Sequence, residues 1–271
     1  MSINGHIIAV ASGKGGVGKS TISANLALAL KLLGFKVGLL DADVYGPSQK
    51  LMLGVDNGTK PQQNDEGFLI PVDAHGIKTM SAAYLVDERT PMLWRGPMAA
   101  GALTQMLEQT LWGELDFLLI DMPPGTGDIQ LTLAQKAQVS GAVIVTTPQN
   151  IALLDARKGI EMFRKVDIPI LGVVENMSIH LCSNCGHKEH VFGSDGGERI
   201  AREYDVPVLA ALPLTSSIRK LSDSGCPIVA ADPESEISSL FFQAAKSIPD
   251  AIDELYEQEG TTAPEIIFSD D

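Results

Sequence analysis

Seven apolar runs punctuate the chain: His6–Ala11, Lys36–Asp41, Ile77–Ser81, Phe117–Asp121, Ala142–Thr147, Ile170–Glu175 and Val208–Leu212. Most are rich in Val, Ile and Leu and show no alternation of apolar with polar positions. A strand with one wet face alternates; a strand covered on both faces does not need to, and that is the condition of a parallel sheet. Between the runs, apolar residues recur at helical spacing around 20–33, 99–111, 129–137, 153–165, 198–204 and 237–247. The alternation predicts an α/β fold: a doubly wound, mostly parallel sheet flanked by helices and joined by right-handed crossovers. Residues 1–259 read as a single domain and 260–271 as an acidic, loosely ordered tail. Asn57–Gly67 is polar and predicts a loop or short hairpin, while Leu181–Phe192 interrupts the rhythm and reads as a loop insertion.

Charge narrows the partners. The 271 residues carry a formal charge of −14, so a broad nucleic-acid-binding face, which needs clustered Lys and Arg, is not expected. Pro249–Asp271 contains eight acids and no Lys or Arg, the composition of a solvated end. No apolar stretch reaches the length of a membrane span, and the N-terminus lacks the basic start and apolar core of a signal peptide. A cytoplasmic chain with no membrane partner is the expectation. Three cysteines do not make a disulfide scaffold.

The first strand is followed by Gly13-Lys14-Gly15-Gly16-Val17-Gly18-Lys19-Ser20-Thr21, which satisfies G-x-x-x-x-G-K-[ST]. Glycines are needed there because backbone N–H groups must close around phosphate oxygens, and the helix that follows turns its positive end to the same anion. Lys19 then neutralises the β- and γ-phosphates of ATP, and the Ser20 hydroxyl can ligate Mg²⁺. The loop also fits the weaker dinucleotide pattern G-x-G-x-x-G, but that turn has no use for Lys19.

Other carboxylates stand at strand ends, where the ligand crevice of such a sheet lies. Asp41 and Asp43 close the second strand: Asp43 is placed to orient or activate an attacking water, and Asp41 to hold the metal's water shell or to cap the next turn. Asp121 ends an apolar strand as the second magnesium element of a P-loop enzyme does. The loop after it, Pro123-Pro124-Gly125-Thr126-Gly127, offers backbone donors suited to sensing a γ-phosphate, with Gly125 as the candidate N–H. Asn176, after the strand Ile170–Glu175, could donate to and accept from adenine, and Pro213 leaves neighbouring backbone groups free for the ring edge.

KGGVGKST resembles the deviant phosphate loop shared by MinD, the ParA partition proteins, the nitrogenase iron protein and the Mrp proteins. In that group the early lysine, here Lys14, reaches across a homodimer to the partner's nucleotide. DADVYGPS, DMPPGTGD, the run from Pro148 to Lys158, and VVENMS followed by a Cys-x-x-Cys together resemble the Mrp family of iron–sulfur cluster carrier ATPases, over Ile7 to Pro249. The resemblance implies a homodimeric ATPase that passes clusters from donor proteins to apo iron–sulfur proteins. Many bacterial Mrp proteins carry a small domain ahead of the ATPase, whereas this chain starts almost at the first strand.

Cys182-Ser183-Asn184-Cys185 puts two thiolates within reach of one metal or cluster edge. Two do not complete a site. A homodimer would supply four, enough for a [4Fe–4S] cluster across a two-fold axis, and the resemblance favours that reading. The alternatives are a zinc site within one chain, using Cys182, Cys185, His187 and His190, and a redox pair. Cys226 reads as a small buried hydrophobe. A MinD- or ParA-like positioning switch is the competing function, but it calls for a basic amphipathic end or a basic DNA face. A zinc-stapled nucleotide-binding adaptor is the third.

Overall fold

The computed structural model describes residues 5–85, 96–182 and 184–260. The strands and helices follow in order as β1 (His6–Ala11), α1 (Lys19–Leu32), β2 (Val37–Asp41), α2 (Gln49–Met52), β3 (Val72–Ala74), β4 (Ile77–Ser81), α3 (Gly96–Glu108), β5 (Phe117–Asp121), α4 (Asp128–Lys136), β6 (Gly141–Thr146) and α5 (Asn150–Arg164). After these come β7 (Ile170–Glu175), β8 (His180–Leu181), β9 (Lys188–Glu189), α6 (Gly196–Tyr204), β10 (Val208–Ala211), α7 (Ser216–Asp223), α8 (Ile228–Ala231) and α9 (Glu236–Gly260).

Eight strands form one sheet in the order β10-β7-β6-β1-β5-β2-β4-β3. Every pairing is parallel except β3 with β4. The seven apolar runs all became strands of this sheet, with ends shifted by at most one residue. Their uniform apolarity has the expected cause, because alternate side chains enter two separate cores. Ile7, Ala9 and Ala11 of β1 join Leu103, Leu133, Ile160 and Ile200 on one face. Ile8 and Val10 join Ile22, Leu26, Val229 and Phe241 on the other. Burying each such side chain contributes roughly 1.5–3 kcal/mol, and polar side chains enter the inner strands at their carboxyl ends, as at Asp41, Asp121 and Glu175.

α1 lies on the second face and is buried over nearly all of Ile22–Leu30. That explains why its sequence is apolar all round instead of amphipathic. α9 packs along it. The stripe Phe241, Ala244, Ala245, Ile248 and Ile252 is at most 2% exposed and holds the helix through Pro249, so the proline does not end it.

One strand and one ribbon go beyond the sequence expectation, and the polar stretch 57–67 meets it. β3 is a three-residue antiparallel edge strand, too short for its alternation to stand out. The polar stretch 57–67 ends in a turn, where Gly67 N–H donates to the Asn64 carbonyl and Gln63 bridges Leu69. Leu181–Phe192 begins in a two-stranded antiparallel ribbon, β8 with β9, separate from the main sheet. The acidic stretch 261–271 lies outside the described residues.

β1 is the pivot of the topology. The chain fills one side of it with β2, β3, β4 and β5, then crosses to β6, β7 and β10 on the other. Loops leaving β1 and β5 therefore diverge at their carboxyl ends and leave a crevice at the switch point.

Candidate nucleotide site and thiol ribbon

The loop between β1 and α1 turns through two left-handed glycines, Gly16 at φ 84° and Gly18 at φ 88°. Gly13 is required for a different reason: a Cβ there would lie 2.0 Å from the backbone oxygen of Asp155 on α5. Gly15 and Gly16 face open space, with no other atom within 4 Å of an added Cβ. The loop thus leans on α5 at one end and keeps its middle free, as a phosphate cradle must. Lys14 is half-buried, and its carbonyl accepts from Ser12 Oγ at 2.9 Å; no ion pair among the described residues involves it. Val17 is buried, while Thr21 lies partly open at the first turn of α1.

Behind the cradle is a buried polar cluster. Lys19 Nζ pairs with Asp121 Oδ1 at 2.5 Å, the two side chains being 6% and 0% exposed. The same carboxylate accepts from Ser23 Oγ at 2.9 Å and from Gln49 Nε2 at 2.8 Å. Gln49 also donates to the Ser20 carbonyl at 2.9 Å, which ties α2 to the start of α1. Asp41 lies alongside, its Oδ2 accepting from the backbone N–H groups of Ser48 and Gln49 and from Ser81 Oγ at 3.0–3.1 Å. It therefore does cap the next helix. Complete burial, aided by the charge of Asp121, pushes its carboxyl up to about 7. Ser48 Oγ and Gln49 Oε1 are buried without a partner. Orphaned oxygens beside two carboxylates are a donor set suited to a hydrated cation.

Asp43 stands apart from this cluster. It is half-buried, and among the described residues it accepts only from the Gly46 N–H, at 3.2 Å. Gly125 has φ 99°, and its N–H donates to the Ser12 carbonyl at 3.0 Å. The loops after β1 and β5 are thereby joined, and this donor would have to change partner to reach a phosphate.

On the other side of the cradle, Asn176 Nδ2 donates to the Val17 carbonyl at 2.9 Å. Asn176, Pro213, Gly18 and Thr21 line one cavity of about 370 Å³, with Ile218 and Arg219 of α7 across from them. The two residues read from the sequence as base contacts thus meet in one hollow beside the phosphate loop.

The chain between β7 and α6 carries the thiols. Cys182 N–H donates to the His187 carbonyl at 3.0 Å and Gly186 N–H to the Cys182 carbonyl at 2.9 Å, closing the tip of the ribbon. Cys182 is partly buried and Cys185 exposed. Backbone N–H groups of Asn184 and Cys185, and the Cys185 thiol, lower the Cys182 thiol below its usual range. His190 sets its Nδ1 on the Ser178 carbonyl at 3.2 Å. No group of three or more His, Cys, Asp or Glu among the described residues is arranged to hold a metal ion. The four side chains of the one-chain zinc reading are therefore not gathered in this geometry. Cys226 is partly buried, and elsewhere.

The matching family is ParA, described as NUBPL iron-transfer P-loop NTPase, which covers residues 4–249. The chain belongs to this family. An iron–sulfur cluster carrier protein of Pseudomonas fragi is 62% identical over 240 residues, 89% of this chain and 84% of that one. Among solved structures, the nucleotide-binding protein of Archaeoglobus fulgidus in complex with ADP is 41% identical, with a TM-score of 0.75 over 88% of this chain and 92% of its own. The Pyrococcus furiosus cell-division ATPase MinD is 26% identical, with a TM-score of 0.69 over 91% and 99%. Membership of this P-loop family accords with the cradle, the buried Lys19–Asp121 pair and the strand order. No helix of the described residues is long and apolar enough to cross a membrane.

Several participants were not evident from the sequence. Ser23, Gln49 and Ser81 complete the carboxylate cluster, and Asp155 props the cradle. Gln49 lies eight residues past Asp41 in a polar stretch, and nothing local marks it. Glu175 was read only as the end of a strand. Its buried carboxylate accepts from the Gly197 N–H; burial pushes it above the ordinary carboxylate range, and that N–H holds it partly back.

Proposed function

We propose that this chain is a homodimeric, Mg²⁺-dependent ATPase that holds an iron–sulfur cluster on Cys182 and Cys185 and hands it to apo iron–sulfur proteins. The observation that carries the reading is the shared rim. Asn176, which grips the phosphate loop, is six residues from Cys182 on one connected segment, so nucleotide and thiols can influence each other directly. The carrier name of the Pseudomonas fragi relative supports the cargo.

In this reading Gly13 to Thr21 cradle the phosphates of ATP, Lys19 neutralises the β- and γ-phosphates, and Asn176 and Pro213 hold the base. Mg²⁺ would sit on the Ser20 hydroxyl with Asp41 and Asp121 behind its waters, and would supply charge neutralisation at the phosphates. Asp43, half-exposed and lightly bonded, orients the attacking water. Gly125 changes partner from Ser12 when a γ-phosphate is present, which makes its loop the switch. Lys14 serves the partner subunit's nucleotide. A dimer face beside the cradle is favoured by α5, where Ile151 and Leu154 are 61% and 55% exposed on the helix whose Asp155 supports Gly13. Two thiolates per chain then make four per dimer, for one bridging [4Fe–4S] cluster and about two irons per chain.

Subunit mixing tests this. Reconstituted wild-type chains are exchanged with an excess of Cys182→Ala/Cys185→Ala chains. Cluster absorbance should fall as heterodimers form, because each retains two thiolates. Full retention of iron on wild-type chains after demonstrated exchange would overturn the bridging model. One zinc per chain, sensitive to His187→Ala or His190→Ala, would replace it with the one-chain site.

A further inference from the structure

The ribbon returns to the fold through Phe192–Asp195, and beside that turn is a second hollow. It has a volume of about 490 Å³ and is lined by Pro148, Asn150, Phe192, Asp195, Arg199 and Arg202, with residues 193–194. Arg199 and Arg202 are three apart on α6 and share one face. Both are exposed. Among the described residues Arg199 reaches only the amide oxygen of Asn150, at 3.4 Å, and Arg202 only the Glu198 carbonyl, at 3.3 Å.

Neither guanidinium is ion-paired among the described residues, although Arg157, one helix away, is paired with Glu203 at 2.8 Å. Two unneutralised guanidiniums in one hollow are unexpected on a chain of net charge −14, where acids are abundant enough to pair them. Asp195 contributes one carboxylate to the rim, so the hollow keeps a net positive charge. Its apolar component is Phe192, half-buried in the wall, with Val191 next to it 52% exposed. The hollow is also close to the thiols: His187, whose carbonyl accepts from Cys182, is five residues from Phe192, a span of at most about 18 Å.

We propose that this hollow docks a carboxylate-rich segment of the protein that receives the cluster. Acidic side chains of that segment pair bidentately with Arg199 and Arg202, and a neighbouring apolar side chain packs on Phe192 and Val191. Docking there presents the recipient's own ligands to Cys182 and Cys185. Only the identity of the partner rests on the carrier function; the acidic-peptide site stands on the geometry.

The test uses full-length protein and two probes: a fluorescein-labelled hexaglutamate peptide, and an apo-ferredoxin of net negative charge. Wild type should bind the peptide, more weakly as salt rises from about 50 to about 200 mM. Arg199→Glu/Arg202→Glu should weaken binding by about tenfold or more, and Arg199→Lys/Arg202→Lys by less. The charge-reversed protein should load cluster and hydrolyse ATP as wild type does, but transfer to apo-ferredoxin about tenfold more slowly.

Equal peptide binding by wild type and the charge-reversed variant, or none by wild type, would overturn the proposal. So would loss of the ATP-bound dimer in sedimentation of that variant, which would assign the arginines to a second copy of the chain. Competition by inorganic phosphate at the peptide's own affinity would make the hollow a small-anion site and overturn it equally. If wild type transfers no cluster yet the peptide binds as described, the carrier reading fails and the acidic-peptide site remains.

Discussion

Asn176 stands where a side chain on Gly18 would have to be: a Cβ there would lie 2.2 Å from the Asn176 amide nitrogen, which donates to the neighbouring Val17 carbonyl. The phosphate loop and the segment after β7 are therefore one packed unit. Gly18→Ala would strain a residue at φ 88° and evict Asn176, at a cost of about 1–3 kcal/mol. We expect a lower urea midpoint and ATP affinity reduced by at least about tenfold. Asn176→Ala should lose discrimination between ATP and GTP while leaving the fold intact. Titration calorimetry with both nucleotides reads the two effects separately, and unchanged discrimination in Asn176→Ala would remove that residue from the base site.

Lys19 is the charge partner of a fully buried carboxylate as well as a candidate phosphate ligand. Lys19→Ala leaves Asp121 with only the Ser23 and Gln49 donors, and stranding a buried charge costs about 3–5 kcal/mol. The variant should unfold at lower urea, and Lys19→Ala/Asp121→Asn should recover much of that stability without recovering ATP binding. If the double variant is no more stable than the single one, the ion pair is not what the lysine contributes to the apo fold.

Asp41 gives a pH dependence of definite sign. Its folded carboxyl lies at about 7 against an ordinary 3.8, so between those values the folded chain holds a proton that the unfolded chain has released. Stability of the nucleotide-free protein should fall as pH rises through that window and level off above it. Asp41→Asn should flatten this part of the profile. Urea midpoints in metal-free buffer across the window test it; identical slopes in the two proteins would contradict the assignment.

Cys182 and Cys185 should differ in reactivity despite their spacing. The N–H groups around Cys182 lower its thiol, so near neutral pH more of it is thiolate, the reactive form. Iodoacetamide at limiting concentration should label Cys182 ahead of Cys185 even though Cys185 is the more exposed. Cys185→Ala should slow Cys182, having removed one of its stabilising donors. Peptide mass spectrometry gives the order, and faster labelling of Cys185 would reverse the reading.

What the sequence made legible was whatever repeats a local rule. Phe117–Asp121 announces a buried strand ending in a carboxylate because five consecutive residues carry the signal, and Gly13–Thr21 is fixed by its chemistry. Contacts made by tertiary approach left no such trace. Gly13 reads as a phosphate-loop glycine, yet its steric need comes from Asp155, distant in the chain and close in space. Ser23 looks like any small helical residue until the sheet brings Asp121 beneath it. Pro249 sits inside α9, where a stripe of buried side chains on both sides of it overrides the general tendency of proline to break a helix. The ribbon at 180–189 disrupts the α/β pattern visibly, but its two short strands are too brief to announce a pairing.

Glu175 has a consequence for how such a protein can change over evolutionary time. Its backbone ends β7 where the excursion to the thiols departs, and its side chain fastens the start of α6 where the chain comes back. Both ends of a detour of some twenty residues are pinned at one position on the rim, and no described residue between them belongs to either core. Substitutions or insertions in the ribbon at 180–189 would change the thiol end of the molecule without repacking either core. The scaffold behaves as a socket, and the thiol ribbon is an exchangeable fitting.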